Sequence, residues 1–350
     1  MSSTTIPDKS SIQSGVSPLD MLISKHLDLD SPYVYQVETS SAANIDFIKA
    51  EFITGLVNHK KMNDHRFVNK FLEAVNAKML KGGIYICCVE TKDSRKDRLL
   101  SKFNPIIAYP FFLGDFIVKR VIPKIPILKS IYFALTKGLN RVISYPEALG
   151  RISSCGFRIL ETHKIGSVTW FVAEKVSEPH FDMSATYGPI IKLNRVGKNG
   201  NMIRVYKLRT MHPYSEYIQD YVFASNDLKD GGKLKDDYRI TNWGKVLRAL
   251  WLDELPMLVN LLKGEVKLVG VRPLSQHYFN LYPKDLQTLR TKYSPGLIPP
   301  FYSDLPVSFE DILDSERRYL ESYAQKPIST DIRYFFKSMF NIIFKGARSS

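Results

Sequence analysis

The chain has 350 residues, of which 44% are hydrophobic, and a formal net charge of +14 at pH 7. This length predicts two domains, and the hydrophobic content excludes a wholly disordered chain. The positive charge favours acidic partners such as nucleic acid, anionic lipid or nucleotide derivatives. Three cysteines, Cys87, Cys88 and Cys155, have neither a metal-ligand spacing nor a disulfide pattern. Cys87 and Cys88 lie in an apolar run and are expected to be buried strand thiols, which fits a reducing cytosol.

Residues 1–40 are rich in Ser and Thr near their start and contain no secretory signal peptide. We expect this segment to be loosely ordered. The longest uncharged apolar stretch, residues 103–114, ends at Asp115 and is shorter than the run of about 18 residues that a spanning helix needs. No membrane-spanning helix is predicted.

Residues 41–178 contain a helical pattern that ends at Met79 and leads into an apolar strand, residues 80–86. A second helix and a hairpin are predicted further along, in residues 147–151, 155–160 and 168–173. In this order the elements resemble the late part of a class I methyltransferase. The glycine-rich turn with which that family binds S-adenosylmethionine has no counterpart here, so the resemblance implies a truncated α/β domain used for docking or membrane contact. We expect structural roles for His65 and His163.

The segment 103–145 combines apolar residues with positive charge. Between Phe116 and Pro146 there are six basic residues and no acidic one: Lys119, Arg120, Lys124, Lys129, Lys137 and Arg141. Residues 333–345 repeat this mixture of basic and aromatic side chains. Such a composition suits a helix in a membrane interface, and a basic, partly buried surface is an equal alternative. Nucleic acid is not expected, because no binding module is recognisable.

Residues 190–193 and 203–206 flank Asn199-Gly200, a dipeptide that tolerates positive φ, and the pattern predicts a hairpin. Lys207 and Arg209 would alternate at its far end. Residues 212–235 are polar and rich in Tyr, and we expect a mobile loop with some helix.

Apolar residues recur every three or four positions over residues 243–262, which predicts a helix with Thr241 as N-cap and Gly264 as its stop. Pro256 should kink or restart this helix. Asp253 and Glu254 would then lie at a new helix N-terminus, which favours anions. They either cap that helix or serve a cation and a phosphate-bearing ligand.

Five short blocks lie in a fixed order over residues 194–273. They read NRVGKNG (194–200), VYKLRTM (205–211), DYRIT (237–241), WLDELP (251–256) and KGEVKLVGVRP (263–273). Together they resemble the bacterial sugar transferase family, the monotopic phosphoglycosyl transferases that load a sugar phosphate onto a polyprenyl phosphate. The resemblance implies a mixed α/β catalytic domain over residues 184–348.

The resemblance also assigns roles to the two carboxylates. Asp253 would attack a UDP-sugar, release UMP and form an aspartyl-phosphosugar intermediate, while Glu254 would hold Mg²⁺. An ionised carboxylate needs such a cation before it can approach a phosphate. The carrier phosphate would then take over the sugar phosphate.

Fixed positive charges should converge on the phosphates of such a reaction. Taken singly, each basic residue could be a solvated surface charge, but the set occurs in register with the family pattern. The resemblance implies phosphate or substrate contacts for six residues: Lys207, Arg209, Arg248, Arg272, Arg195 and Arg239.

The chain departs from the family at two places. The long apolar segment that enters the membrane before the hairpin corresponds here to residues 181–189, which are short and polar. After the turn at Ser294-Pro295-Gly296 the sequence also differs, which leaves the donor sugar open.

The sequence therefore predicts a sugar-1-phosphate transferase that uses a UDP-sugar donor and an undecaprenyl phosphate acceptor. We expect it on an anionic membrane surface, the cytoplasmic face of the bacterial inner membrane, as a peripheral or monotopic protein, and a homo-oligomer is left open. Its product would initiate exopolysaccharide, capsule or glycoconjugate synthesis. The alternatives are a non-catalytic membrane-surface adaptor and, least favoured, an S-adenosylmethionine-dependent methyltransferase.

Overall fold

A computed structural model of the chain describes residues 17–49, 52–181, 188–219, 221–222 and 237–347. Two compact units are present, one formed by Met1–Tyr187 with Pro213–Val222 and the other by Gly188–His212 with Phe223–Ser350. Both combine helices with strands, which confirms the predicted α/β class. The domain boundary predicted near residue 184 lies outside the described residues.

The first unit contains seven helices and five strands in its described part. The helices are α1 (Pro18–His26), α2 (Ala42–Asp46), α3 (Val68–Lys78), α4 (Lys92–Leu100), α5 (Pro105–Phe116), α6 (Pro126–Thr136) and α7 (Tyr145–Ser154). The strands are β1 (Val34–Val37), β2 (Ile53–Asn58), β3 (Met79–Val89), β4 (Phe157–Ile165) and β5 (Val168–Lys175). The predicted helix ending near Met79, the strand after it and the later helix with its hairpin are all confirmed.

One five-stranded sheet has the order β1-β2-β3-β5-β4. Strands β1, β2 and β3 run parallel, with Val57 opposite Ile86, whereas β5 is antiparallel to both β3 and β4. The β-branched and aromatic residues of β3 and β5 suit this central position. Cys87 and Cys88 lie in β3 as buried thiols, as predicted. Cys155 follows α7 and is also free and buried.

The expectation that the first forty residues are loosely ordered was wrong for residues 18–37, which form α1 and β1. The hydroxyl of Ser17 accepts the Asp20 N–H at 3.1 Å and so caps α1. Leu22 and Ile23 then pack into the core formed with Val57, Ile86 and Trp170. Burial of these side chains orders the segment, and residues 1–16 lie outside the described part.

The second unit contains seven α-helices and four strands among the described residues. The strands are β6 (Ile190–Val196), β7 (Met202–Leu208), β8 (Lys267–Val269) and β9 (Gly296–Ile298). The helices are α8 (Asn242–Ala249), α9 (Leu258–Leu262), α10 (Gln276–Asn280), α11 (Lys284–Thr291), α12 (Phe301–Asp304), α13 (Phe309–Gln325) and α14 (Pro327–Phe344). Strands β6 and β7 form the predicted antiparallel hairpin, with Asn199 at φ 57° and Gly200 at φ 77°.

Strands β8 and β9 pair in parallel, with Lys267 opposite Gly296. Gly270 also lies close to Gly296. A Cβ on Gly296 would lie 2.1 Å from the Gly270 nitrogen, so this approach requires glycine. Around the pair, Val269, Ile298, Tyr302 and Tyr319 belong to the main core of the unit.

The described residues contain no helix long and apolar enough to cross a membrane. Two expectations concern residues outside that part of the chain: the short polar segment before β6, of which residues 182–187 are not described, and most of the predicted mobile loop, residues 223–236. Within that loop, the described Ser215–Ile218 form a 3₁₀ turn.

Candidate active site

The segment that carries Asp253 and Glu254 is not a single helix with a kink at Pro256. Helix α8 begins at its predicted N-cap, since Thr241 Oγ1 accepts the Gly244 N–H at 2.8 Å. It ends at Ala249, and Trp251 has φ 62° and ψ 16°, the left-handed conformation. A 3₁₀ helix, Leu252–Met257, then leads directly into α9. The predicted position of the break was wrong by about five residues.

Trp251 holds this break in place through the core. Its Nε1–H donates to the hydroxyl of Tyr302 at 2.9 Å, and the two rings meet edge to face with centroids 5.3 Å apart. The indole therefore satisfies its only donor while it packs. The left-handed backbone conformation of Trp251 ends α8, and a new helix begins at the next residue. Asp253 and Glu254 therefore lie in the first turn of that helix, as predicted.

The two adjacent carboxylates have different surroundings. Glu254 is buried, and Lys207 Nζ lies 2.5 Å from its Oε1. Asp253 is partly buried and makes no side-chain hydrogen bond or ion pair to another described residue. Burial raises the pKa of Asp253 above its ordinary value, a shift that Glu254 reinforces while the charges of Lys207 and Arg248 oppose it. Asp253 is thus the carboxylate available to a ligand.

Asn260 joins this segment to the hairpin. Its Oδ1 accepts the Tyr206 N–H at 3.0 Å, and its Nδ2 donates to the Arg204 carbonyl at 2.8 Å. The side chain is fully buried. It supplies the hydrogen bonds that a neighbouring strand would otherwise make to this part of β7. Met257 packs beside it against Val205. These contacts keep Lys207, which follows on the same strand, within reach of Glu254.

Thr210 connects the end of β7 to α8. Its carbonyl accepts the Thr241 N–H at 2.9 Å, and its hydroxyl accepts Nε–H of Arg248 at 2.9 Å. A Cβ on Gly244 would lie 2.0 Å from the Thr210 oxygen, so the helix can approach this closely only with glycine there. Thr241, Gly244 and Arg248 all lie on the side of α8 that packs against Thr210. This packing directs Arg248 toward Asp253.

The remaining arginines stand around this centre. Arg239 binds Asp237 with both Nε and Nη2, at 2.9 and 2.8 Å, and these bonds hold the pKa of Asp237 below its ordinary value although burial opposes them. Burial lowers the pKa of Arg195, and the like charge of Arg272 lowers it further. An anion bound near both guanidinium groups would offset their like charge.

The pKa of Arg248 also depends on burial and on the neighbouring charges. Burial lowers its pKa, Asp253 and Asp237 oppose that shift, and Arg272 and Arg239 add to it. Arg209 donates from its Nε to the backbone oxygen of Gly188 at 3.0 Å. The structure therefore gathers Lys207, Arg248 and Glu254 about Asp253 and couples Arg195, Arg239 and Arg272 to the same region.

The surface next to the carboxylates is apolar. Large hydrophobic side chains of α8, the 3₁₀ turn and α9 are exposed: Trp243, Val246, Leu250, Leu255, Leu258 and Leu262. Leu262 is 88% exposed and Trp243 75% exposed. A soluble surface rarely carries so continuous an apolar face, which indicates a partner of apolar character.

No group of three or more His, Cys, Asp or Glu residues suited to a metal ion occurs in the described part of the chain. Mg²⁺ needs fewer protein ligands than that, since it commonly takes one or two carboxylates and completes its shell with water and substrate phosphate. The carboxylate of Asp253 and Oε2 of Glu254 have no side-chain hydrogen-bond partner in another described residue. These oxygens fit the donor set that Mg²⁺ prefers.

The family model described as bacterial sugar transferase matches residues 181–345. The C-terminal part of this chain is a bacterial sugar transferase domain. The resemblance to this family, which was inferred from five sequence blocks, is confirmed.

Curated relatives match the sugar transferase domain. The galactosyl transferase CpsE of Streptococcus agalactiae is 40% identical over 112 residues, which cover 31% of this chain and 25% of that protein. The exopolysaccharide production protein ExoY of Sinorhizobium fredii is 40% identical over 109 residues, 29% of this chain and 47% of its own length. An Aeromonas hydrophila protein named UDP-N-acetylgalactosamine-undecaprenyl-phosphate N-acetylgalactosaminephosphotransferase is 37% identical over 100 residues, 28% of this chain and 21% of its own length.

The matched region thus spans between about a fifth and a half of these relatives. Among solved structures, an O-methyltransferase family 2 protein of Planctomyces limnophilus aligns with a TM-score of 0.23 and 13% identity, over 38% of this chain and 33% of that chain. Similarity that low assigns neither a fold nor an activity beside the sugar transferase domain.

Sequence reasoning missed the residues that position the sugar transferase site. Asn260, Thr210 and Trp251 act through hydrogen bonds to the backbone or to distant side chains. Arg290 is another, because its Nη2 donates to the Arg272 carbonyl at 2.6 Å and it is paired with buried Glu316. In the sequence, Asn260 is a polar residue within an apolar helical run. This pattern was the one signal that could have indicated a buried, hydrogen-bonded side chain.

Proposed function

We propose that the chain transfers a sugar-1-phosphate from a UDP-sugar to a polyprenyl phosphate, at the cytoplasmic face of a bacterial inner membrane. This step would begin exopolysaccharide, capsule or glycoconjugate synthesis. The observation that carries the proposal is the pair of adjacent carboxylates in which Lys207 engages Glu254 while Asp253 has no side-chain partner among the described residues. The match of residues 181–345 to the bacterial sugar transferase family and the names of the relatives support the reaction class.

In the first step a carboxylate oxygen of Asp253 attacks the phosphorus that bears the sugar. The bond between this phosphorus and the bridging oxygen breaks, and UMP leaves with the electron pair. The enzyme then carries the sugar phosphate on Asp253 as an acyl phosphate. The raised pKa of Asp253 keeps it a better nucleophile than a fully solvated carboxylate, provided that it is ionised.

In the second step an oxygen of the polyprenyl phosphate attacks the same phosphorus. The bond to Asp253 breaks, the carboxylate is regenerated, and the product is a diphosphate-linked sugar. Both steps collect phosphate charge, which Arg248, Arg272 and Arg195 would neutralise. Glu254 would hold Mg²⁺, and the metal would supply further positive charge to offset the charge of the phosphates.

Two surfaces support a lipid acceptor. One is the exposed apolar face of α8, the 3₁₀ turn and α9 beside Asp253. The other is α14, which buries Thr330, Tyr334, Ser338 and Asn341. Its large apolar side chains are exposed instead: Ile328, Ile332, Phe336, Phe340, Ile343 and Phe344. A helix that turns its polar side inward and its aromatic side outward suits a membrane interface.

A UMP-release assay with undecaprenyl phosphate and a panel of UDP-sugars tests the proposal. Asp253→Asn should reduce turnover at least about a thousand-fold, as expected for loss of a nucleophile. Glu254→Gln should abolish Mg²⁺-dependent turnover. Asp314→Asn is the matched control, since Asp314 is an exposed carboxylate of the same unit and should leave the rate unchanged.

A second readout tests the covalent step. Incubation with donor alone should add one sugar phosphate to the protein, and peptide mass spectrometry should place it on Asp253. An adduct on another residue, or turnover by Asp253→Asn at the rate of the wild type, would refute the mechanism. Absence of turnover with every donor, together with retained membrane binding, would favour the non-catalytic adaptor.

A further inference from the structure

The first unit contains a basic cavity that the transferase reaction does not use. Its volume is about 400 Å³, within the range of small-molecule sites. Seven of its fifteen lining residues are Lys or Arg, and Glu147 is the one carboxylate among them. The cavity is bordered by α3, by the segment that includes α6, and by α7.

Three of the lining cations are exposed and have no acidic partner within the described residues. Arg66, Lys70 and Lys129 make no side-chain hydrogen bond or ion pair there. Arg66 is nevertheless held in place, because its guanidinium lies over the rings of Phe67 and Phe133, 5.2 and 5.8 Å from their centroids. Arg66, Lys70 and Lys129 therefore place positive charge at the cavity, and the one lining carboxylate, Glu147, pairs with Arg120 and Arg151 instead.

The inner wall of the cavity is rigid. Both Arg120 and Arg151 bind the buried carboxylate of Glu147, and Arg151 also donates to Asn69 Oδ1 at 2.6 Å. Arg120 further donates to the Val142 carbonyl at 2.8 Å. A site whose wall is fixed in this way loses little conformational entropy on binding a ligand.

The same segment that lines the cavity also exposes an extended apolar face. Lys119, Arg120, Pro123, Lys129 and Phe133 line the cavity from residues 117–133. On α5, α6 and the turns between them, large hydrophobic side chains are exposed: Ile106, Ile107, Phe111, Leu113, Ile127, Ile131 and Leu135. Ile106, Ile127 and Leu135 are each at least 80% exposed. Apolar surface of this extent beside unpaired cations matches a ligand with a phosphate and a hydrocarbon part.

We propose that this cavity binds the phosphate of an anionic membrane lipid, and that the acyl chains lie against the exposed face of α5 and α6. The shared chemistry is a phosphate group, which a water-soluble phosphate would also present. The apolar face favours the lipid, because a soluble phosphate would leave it unused. The proposal does not depend on the transferase activity, since every residue in it belongs to the first unit.

Vesicle binding by the full chain tests the proposal. Vesicles of phosphatidylcholine with about 30 mol% phosphatidylglycerol should bind the wild type at least about ten-fold more tightly than phosphatidylcholine alone. The triple variant Arg66→Gln, Lys70→Gln, Lys129→Gln should lose about ten-fold in affinity for the anionic vesicles.

The matched control removes three positive charges of the same unit away from the cavity. Lys49→Gln, Lys81→Gln, Lys164→Gln should bind anionic vesicles within about two-fold of the wild type. A second variant, Ile127→Ser with Leu135→Ser, should also weaken vesicle binding because it removes exposed apolar surface. Unchanged thermal unfolding in each variant shows that the loss does not come from misfolding.

Two results would overturn the proposal. In the first, the cavity variant and the control variant lose vesicle affinity equally, so that only net charge matters. In the second, calorimetry shows that glycerol 3-phosphate or inorganic phosphate binds the wild type and not the cavity variant, while both bind vesicles equally well. The cavity would then serve a water-soluble phosphate rather than a lipid.

Discussion

The ammonium group of Lys207 lies 2.5 Å from Oε1 of Glu254, although the two residues are 47 positions apart in the chain. Glu254 is buried, so this cation provides the compensation that an ionised buried carboxylate needs. Asp253, its neighbour, has no such partner among the described residues. The ion pair therefore divides two adjacent carboxylates into one that is held and one that is available.

Lys207→Gln should lower the rate of UMP release by at least about ten-fold, because Glu254 loses its counter-charge and Asp253 loses a nearby cation. It should also destabilise the protein by about 3 kcal/mol, the usual cost of leaving a buried charge unpaired. Steady-state kinetics and urea unfolding measure the two effects. Lys198→Gln, in the exposed turn of the same hairpin, should change neither.

The acid limb of the pH profile of kcat/KM should lie above the ordinary pKa of an aspartate, about 3.9. Burial raises the pKa of Asp253, and a protonated Asp253 cannot attack, so the rate falls as pH decreases through that value. In Lys207→Gln the limb should move to higher pH, because a cation that favours ionisation is gone. A limb that stays in place or moves to lower pH in this variant would contradict the assignment of Asp253.

Asn260→Ala should lower the free energy of unfolding by about 2 to 3 kcal/mol, since it leaves the Tyr206 N–H and the Arg204 carbonyl without their buried partner. The rate of UMP release should fall as well, because β7 and the 3₁₀ turn lose their connection. Urea unfolding measures the stability change. Asn201→Ala at the exposed end of the hairpin is the control and should unfold like the wild type.

Gly244→Ala and Gly114→Ala place the same methyl group in two helices with opposite results. At Gly244 the new Cβ would meet the Thr210 backbone, so we expect a loss of at least about 2 kcal/mol and a displaced Arg248. At Gly114 there is open space, and replacing glycine within α5 should stabilise the protein by up to about 1 kcal/mol. Equal stability of the two variants would show that α8 does not pack on Thr210 as described.

His65 should make stability depend on pH. Burial lowers its pKa to about 4, whereas the unfolded chain titrates near 6.5, so between these values the unfolded state binds more protons. Stability is therefore fully present above pH 6.5 and is lost as pH falls toward 4, by up to about 3 kcal/mol. Urea unfolding at several pH values measures the slope. His65→Gln should flatten it, whereas His277→Gln at the surface should not.

Sequence alone determined the features that depend on residues close together in the chain. Asn199 and Gly200 tolerate positive φ, so their hairpin was predictable, and Thr241 could be recognised as an N-cap from its neighbours. The order of the five blocks was sufficient to recognise the sugar transferase family and to select Asp253 and Glu254. The roles of these two residues stay predictions.

Tertiary structure decided what depends on distant partners. Trp251 breaks the helix ahead of Pro256 because its indole reaches Tyr302, 51 positions further along. Lys207 engages Glu254 and leaves Asp253 available because Asn260 and Gly244 bring β7, α8 and the 3₁₀ turn together. Periodicity encodes contacts over one or two turns, whereas the difference between two neighbouring carboxylates arises only when segments far apart in sequence pack around them.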